Sequence, residues 1–196
     1  MATAPENSKA DDVFAASPQQ VNILVVIDTE YVKAHYPPNS SNGSNSSPDK
    51  PPGIDHNSQF MICTGSRGAV TGQGTADLSF KANVGDNVSF TGVSIYDNSD
   101  DAVIIYGIQY WNGDKVFNQF VPNVVTRKKA VFPNPETSNG LPPLQEQMTF
   151  ATYDAKVARS GKENFYVYFA LYKLSDDGQS QNLYGYYCWD PQIIVP

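Results

Sequence analysis

Histidine, cysteine and methionine are scarce in this 196-residue chain, with two, two and three copies. A disulfide framework needs denser cysteines, and a zinc site needs grouped Cys and His, so neither organises the fold. Cys63 and Cys188 read as buried thiols behaving as small hydrophobes, with one long-range disulfide as the alternative. His35 and His56 flank a Pro/Ser/Asn-rich stretch and read as solvated loop residues, a poor setting for proton transfer. Gly65-Ser66-Arg67-Gly68 lacks the spacing of a nucleophile elbow. Gly72-Gln73-Gly74 lacks the third glycine and the following helix of a dinucleotide site, and reads as a β-turn. No enzyme is expected.

Charge is sparse too: 17% of residues are charged, and 13 Lys/Arg against 20 Asp/Glu leave a net charge of −7. The single basic run, Arg127-Lys128-Lys129, reads as a solvated turn. Nucleic acid is therefore excluded as a partner, since that affinity rests on clustered cations. Long apolar runs are absent. Ile23–Ile27 is too short to span a bilayer, and Met1–Gln20 has no apolar core of a secretory signal. The expected location is the cytoplasm, with release without a signal peptide left open.

What remains is neutral, polar and aromatic, with Tyr 12, Phe 10 and Trp 2. The length suits one domain with a real core. Residues 1–19 read as a disordered arm and 20–196 as a single domain, in which 37–53, built of Pro, Asn, Ser, Gly, Asp and Lys, is a flexible surface loop. Val21–Ile27 is apolar at nearly every position and reads as a strand covered on both faces. In Ala76–Ala82 Leu78 and Phe80 alternate with polar residues, as in a half-buried strand. Val88 and Phe90 continue on even positions, but Val93 and Ile95 are odd, which predicts a bulge near Gly92. Val103–Trp111 is a further strand, and Asn112-Gly113 predicts a tight hairpin before Lys115–Val121.

Asn164–Leu174 sets Phe165, Val167, Phe169 and Leu171 on one face and Tyr166, Tyr168 and Tyr172 on the other. Asp177-Gly178 then turns the chain into Asn182–Trp189. Glu30–His35 and Thr152–Ser160 have a helical look, and Pro133–Pro143 is a second long loop. The prediction is an all-β fold: an antiparallel two-sheet β-sandwich of about eight to ten strands with a long Ser/Asn/Pro-rich loop.

Two features point to function. Tyr96-Asp97-Asn98-Ser99-Asp100-Asp101 gathers acids and an amide at a strand end, so Asp97, Asn98, Asp100 and Asp101 are candidate Ca2+ ligands. The alternative is a solvated acidic turn that also guards a sheet edge. The Tyr-rich terminal strands supply Tyr184, Tyr186 and Trp189, which with Tyr96 are candidate ligand-binding residues. Aromatic faces stack on sugars or on another protein, and core packing is the competing explanation. An uncovered apolar face implies a homo-oligomer.

Several longer segments carry a resemblance. Asn22–Tyr31, Gly53–Asn57, Gly72–Leu78, Tyr96–Val103, Glu163–Val167 and Tyr187–Pro191 resemble the PixA/AidA inclusion-body protein family of Gram-negative bacteria. The likeness runs from residue 21 to about 195. It implies an abundant, regulated, non-enzymatic protein that in some members forms cytoplasmic crystalline inclusions, with links to bacteria–host interaction. Inclusion-forming members are methionine-rich, and three Met set this chain apart from them. Asn83-Val84-Gly85-Asp86-Asn87-Val88 and the acidic loop are also similar to calcium-dependent LecA-type bacterial lectins. That likeness implies sugar hydroxyls bound at calcium. The two together give a carbohydrate-binding protein, with a glycan or host glycoconjugate as partner, or alternatively a self-assembling or storage protein in inclusions.

Overall fold

The computed structural model describes residues 17–38, 44–68 and 70–196. The expected N-terminal arm lies outside them apart from its last three positions. Two mixed sheets pack face to face. In chain order the elements are β1 (Gln20–Ile27), α1 (Thr29–His35), β2 (Gln59–Thr64), β3 (Val70–Thr71), β4 (Leu78–Phe80) and β5 (Asn87–Ser94). They continue with β6 (Ala102–Gly113), β7 (Val121–Phe132), β8 (Leu144–Lys156), β9 (Gly161–Leu174), β10 (Gln181–Trp189) and β11 (Gln192–Val195). The first sheet runs β2-β1-β5-β8-β7; in the second, β9 pairs with β6 on one edge and with β10 and β11 on the other, and β11 leads on to β4 and β3.

The sandwich is borne out, with eleven strands among the described residues and two parallel pairings, β1 with β5 and β11 with β4. Alternation builds the core. Val21, Ile23, Val25 and Ile27 of β1 meet Phe165, Val167, Phe169 and Leu171 of β9, all at 0–1% exposure. Phe90, Phe117, Phe120 and Phe165 interlock beside them with ring centroids 5.5–6.3 Å apart. Asp177-Gly178 turns β9 into β10 as expected, with Gly178 at φ 68.

Several local expectations give way to long-range pairing. β1 is covered on one face: Asn22 and Leu24 on the other are exposed. No bulge occurs at Gly92, because β5 keeps register with β1 through Ser94. Gly92 faces inward, and Ile105 fills the place of its side chain; a Cβ there would lie 2.6 Å from Ile105 Cγ1. Asn112-Gly113 makes no hairpin, since β6 belongs to the second sheet and β7 to the first. Gly113 instead lets the chain pass Lys162, whose carbonyl would sit 2.2 Å from a Cβ. The helical look of Thr152–Ser160 is overridden by pairing: Thr152–Lys156 belongs to β8, bonded to β5 and β7. Arg127-Lys128-Lys129 lies within β7 and not in a turn, though it is exposed as expected.

Residues 44–53 do contribute to the interior, against the reading of 37–53 as a loop outside the core; residues 39–43 lie outside the described ones. Asn45 is 4% exposed, and its amide donates to the Tyr187 hydroxyl at 2.7 Å. Its carbonyl accepts from Tyr186 N, and Gly53 bridges to Cys188, so this segment lines the edge of β10. Cys63 and Cys188 are buried free thiols.

Candidate functional site

One end of the sandwich is closed by α1 and the loop after β5. Asp28 caps the helix by accepting from Tyr31 N at 3.0 Å. From the first turns of α1, Glu30 and Lys33 reach toward the acidic loop. That loop is tightly wound, with Asp97 and Asn98 in the left-handed region at φ 54 and 60. Asn98 Oδ1 accepts from Ser94 N and Val103 N, both at 2.9 Å. Asp101 is 3% exposed; its Oδ1 accepts from Leu174 N, and its Oδ2 lies 2.6 Å from Lys33 Nζ.

Lys33 also bonds Glu30 at 2.8 Å, Tyr96 donates its hydroxyl to Glu30 at 3.2 Å, and the Tyr184 hydroxyl donates to Lys33 O. Burial opposes the Lys33 charge, but the bonds to Asp101 and Glu30 outweigh it and its pKa rises. Tyr96, Asp101 and Tyr184 are thus gathered about Lys33, which sequence reading missed: Asp101 on its ammonium, Tyr184 on its carbonyl and Tyr96 through Glu30. Asp97 and Asp100 point to solvent, while the Asn98 amide and Asp101 are engaged within the protein. The four candidate calcium ligands do not converge. Among the described residues no group of three or more His, Cys, Asp or Glu side chains is placed to hold a metal ion.

Asp86, in the segment similar to lectins, is also an internal tie. It is fully buried and accepts from Arg67 Nε and Nη2 at 2.7 Å and from the backbone N–H groups of Gln19 and Asn83. Burial alone would raise its pKa; the guanidinium and the amides overcome that and hold it at about 2.

The outer face of the second sheet carries a row of rings. Trp111 lies 5.4 Å from Tyr166, Tyr166 6.2 Å from Tyr168, Tyr168 5.9 Å from Tyr106, and Tyr106 5.6 Å from Tyr186. Trp111 is 48% exposed. Tyr168 donates to Gln109 Oε1 and Tyr106 to Pro48 O, so the polar tips are partly engaged. Of the four candidate ligand-binding aromatics, Tyr186 alone joins this row. Trp189 is 1% exposed and packs edge-on against Phe169 in the core, which corrects its place among surface aromatics. Tyr184 is the extra residue at the register shift between Leu183 and Gly185 and packs toward α1. Tyr106 and Trp111 were missed because register shifts at Ile105/Gly107 and Tyr110/Asn112 break the alternation of β6.

His56 lies 3.4 Å from Asp77 and 3.2 Å from Asp190, and His35 stacks on Tyr31 at the end of α1. Among the described residues no helix is long and apolar enough to cross a membrane.

Comparison with known proteins agrees with the fold. Residues 19–195 match the family described as PixA, inclusion body protein. Among solved structures, the chain is similar to an inclusion body protein of the PixA family from Burkholderia cenocepacia J2315, determined by crystallography. The two share 29% identity and a TM-score of 0.75, over 92% of this chain and 97% of the other. No curated protein matches.

Proposed function

Because the chain belongs to the PixA inclusion body protein family, we propose that it is a non-enzymatic, self-assembling protein that accumulates as inclusions inside the cell. The observation that carries this reading is the outward row Trp111, Tyr166, Tyr168, Tyr106 and Tyr186. Rings of this kind give large contact area at low conformational cost, and a mostly neutral polar surround lets copies approach. The test is expression in cells with imaging for particles. Trp111→Ser together with Tyr166→Ser should leave the protein dispersed. Particles that persist in that folded variant, or a wild type that never forms them, would sink the reading.

A second reading is glycan binding, favoured by the half-exposed Trp111 ring beside Tyr166 and the Gln109 amide. Calcium dependence would fall to the exposed Asp97 and Asp100. Calorimetric titration with oligosaccharides, with added Ca2+ and with EDTA, tests both parts. Heat that vanishes on Trp111→Ser supports the sugar site; heat unchanged by EDTA removes the calcium.

A further inference from the structure

β7 and β8 leave the sandwich as a ribbon. β8 pairs with β5 only from Lys156 opposite Asn87 to Tyr153 opposite Phe90. Its ladder with β7 continues out to Leu144 opposite Phe132. From Thr152 to Leu144, β7 is the one paired neighbour of β8 among the described residues. That free length is about 30 Å at the usual rise of a strand.

Residues directly across an antiparallel ladder share a face. Ala155 stands opposite Val88 and is buried, and Tyr153, opposite Phe90, packs on the core. The even positions of β8 therefore lie on the outer face. There Phe150 is paired with Val125, Met148 with Arg127, Glu146 with Ala130 and Leu144 with Phe132. Phe150, Met148 and Leu144 are 48%, 42% and 39% exposed. The opposite face is more polar, with Thr126 and Thr149 joined through their hydroxyls at 3.1 Å. The ribbon is amphipathic and turns its apolar side to water. A two-stranded ribbon is marginal in water unless that side is covered.

The charges indicate the cover. On this outer face the free part of the ribbon carries Arg127 and Glu146 on neighbouring rungs, with Lys128 and Lys129 in the bulge between them. Turning a second ribbon end for end over the first by a two-fold sets each Arg127 against the other copy's Glu146, and Phe150 against Leu144. Such self-complementarity is what an isologous contact requires. Area argues for a wider contact than the ribbon alone. Two strands of that length offer about 300 Å² per copy, below the roughly 800 Å² per partner of a standard interface. Beyond a polar strip that includes Ser89, Thr91, Thr152 and Asp154, the outer face of the first sheet adds Leu24 and Ile62, 36% and 45% exposed and directly paired across β1 and β2.

We infer that the outer face of the β7–β8 ribbon, with the adjoining face of the first sheet, is a two-fold interface with a second copy of this chain, closed by two Arg127–Glu146 pairs. The inference rests on the self-assembly reading and names a surface separate from the aromatic row.

Sedimentation velocity of the full chain over a concentration series tests it. Wild type should be dimeric, and Phe150→Asp should be monomeric with its circular dichroism unchanged. Arg127→Glu and Glu146→Arg should each weaken the dimer about tenfold, the scale of interfacial charge pairs. The double swap, R127E with E146R, should restore it, a readout that does not depend on Phe150→Asp folding. A monomeric wild type, a dimeric Phe150→Asp, or no rescue by the double swap would overturn the interface. The two readings fail separately: dimers in a cell without inclusions sink the aromatic assembly and leave this interface standing. Inclusions formed from a strictly monomeric soluble form do the reverse.

Discussion

β9 and β8 are nearly equal in length, 14 and 13 residues, and both place large apolar side chains on alternate positions. Phe165, Val167, Phe169 and Leu171 of β9 are fully buried, whereas Leu144, Met148 and Phe150 of β8 stand 39–48% exposed. The same alternation therefore has opposite outcomes. β9 has strands on both edges and the first sheet across its inner face, while the free part of β8 has β7 alone. Alternation chooses which face is apolar; what lies opposite decides whether that face is dry.

The largest expected effect separates the two strands directly. Phe165→Ala opens a cavity among four interlocked phenyl rings and should cost about 4 kcal/mol. Phe150→Ala, measured in the monomer at low concentration, should cost less than about 1 kcal/mol, because little apolar area leaves water there on folding. Urea unfolding of both variants reads the difference. Equal losses would mean that the ribbon is as much a part of the cooperative core as β9.

Charge gives the next contrast. Asp86 and Arg67 are a buried pair in the body, at 1% and 9% side-chain exposure, whereas Arg127 and Glu146 are exposed. Asp86→Asn should cost about 3 kcal/mol by removing the charged half of a buried ion pair. The pH dependence has a definite sign. The folded carboxyl is held at about 2, below its ordinary value of 3.8. Its stabilisation, on the order of 2 kcal/mol by linkage, is complete above the ordinary value and disappears as pH falls through about 2. Acid titration of unfolding free energy should show that loss in wild type and lack it in Asp86→Asn.

A smaller effect tests the segment at residues 44–53. Asn45→Ala removes the bond to the buried Tyr187 hydroxyl and should cost about 1–2 kcal/mol. Differential scanning calorimetry would register it as a lowered Tm. An unchanged Tm would mean that this bond contributes nothing to holding the segment on β10.

How far the sequence could be read follows the same division between local and long-range causes. β9, its Asp177-Gly178 turn and β10 were legible because alternation and turn chemistry are local. Trp189 belongs on the inner face with Tyr187, two positions before it with no register shift between them, so alternation alone separates it from Tyr186. Gly92 looked like a bulge because nothing nearby reveals that Ile105 occupies its space. The acidic loop was found as a cluster, but Lys33, far away in sequence, takes the position beside Asp101. Asn45 sits in a stretch whose composition says loop, and its partner Tyr187 lies at the other end of the chain.

The smallest expected change lies on the ribbon's inner side. Thr126 and Thr149 face each other with hydroxyls 3.1 Å apart and are both exposed. Thr149→Val removes that bond but adds a residue that suits a pleated strand, and cross-strand pairs of this kind contribute only about 0.2–1 kcal/mol. The two terms oppose, so unfolding free energy should move by less than about 0.5 kcal/mol. The reverse exchange at Val167, fully buried in β9, brings a hydroxyl into the dry interior and should cost about 1–3 kcal/mol. One methyl-for-hydroxyl exchange thus measures cover by itself, since shape and strand preference are nearly conserved in both. If Thr149→Val raised stability by as much as Val167→Thr lowered it, water would already be excluded from the inner side of the ribbon. The contrast between a covered and an uncovered strand would then have to be drawn on its outer face alone.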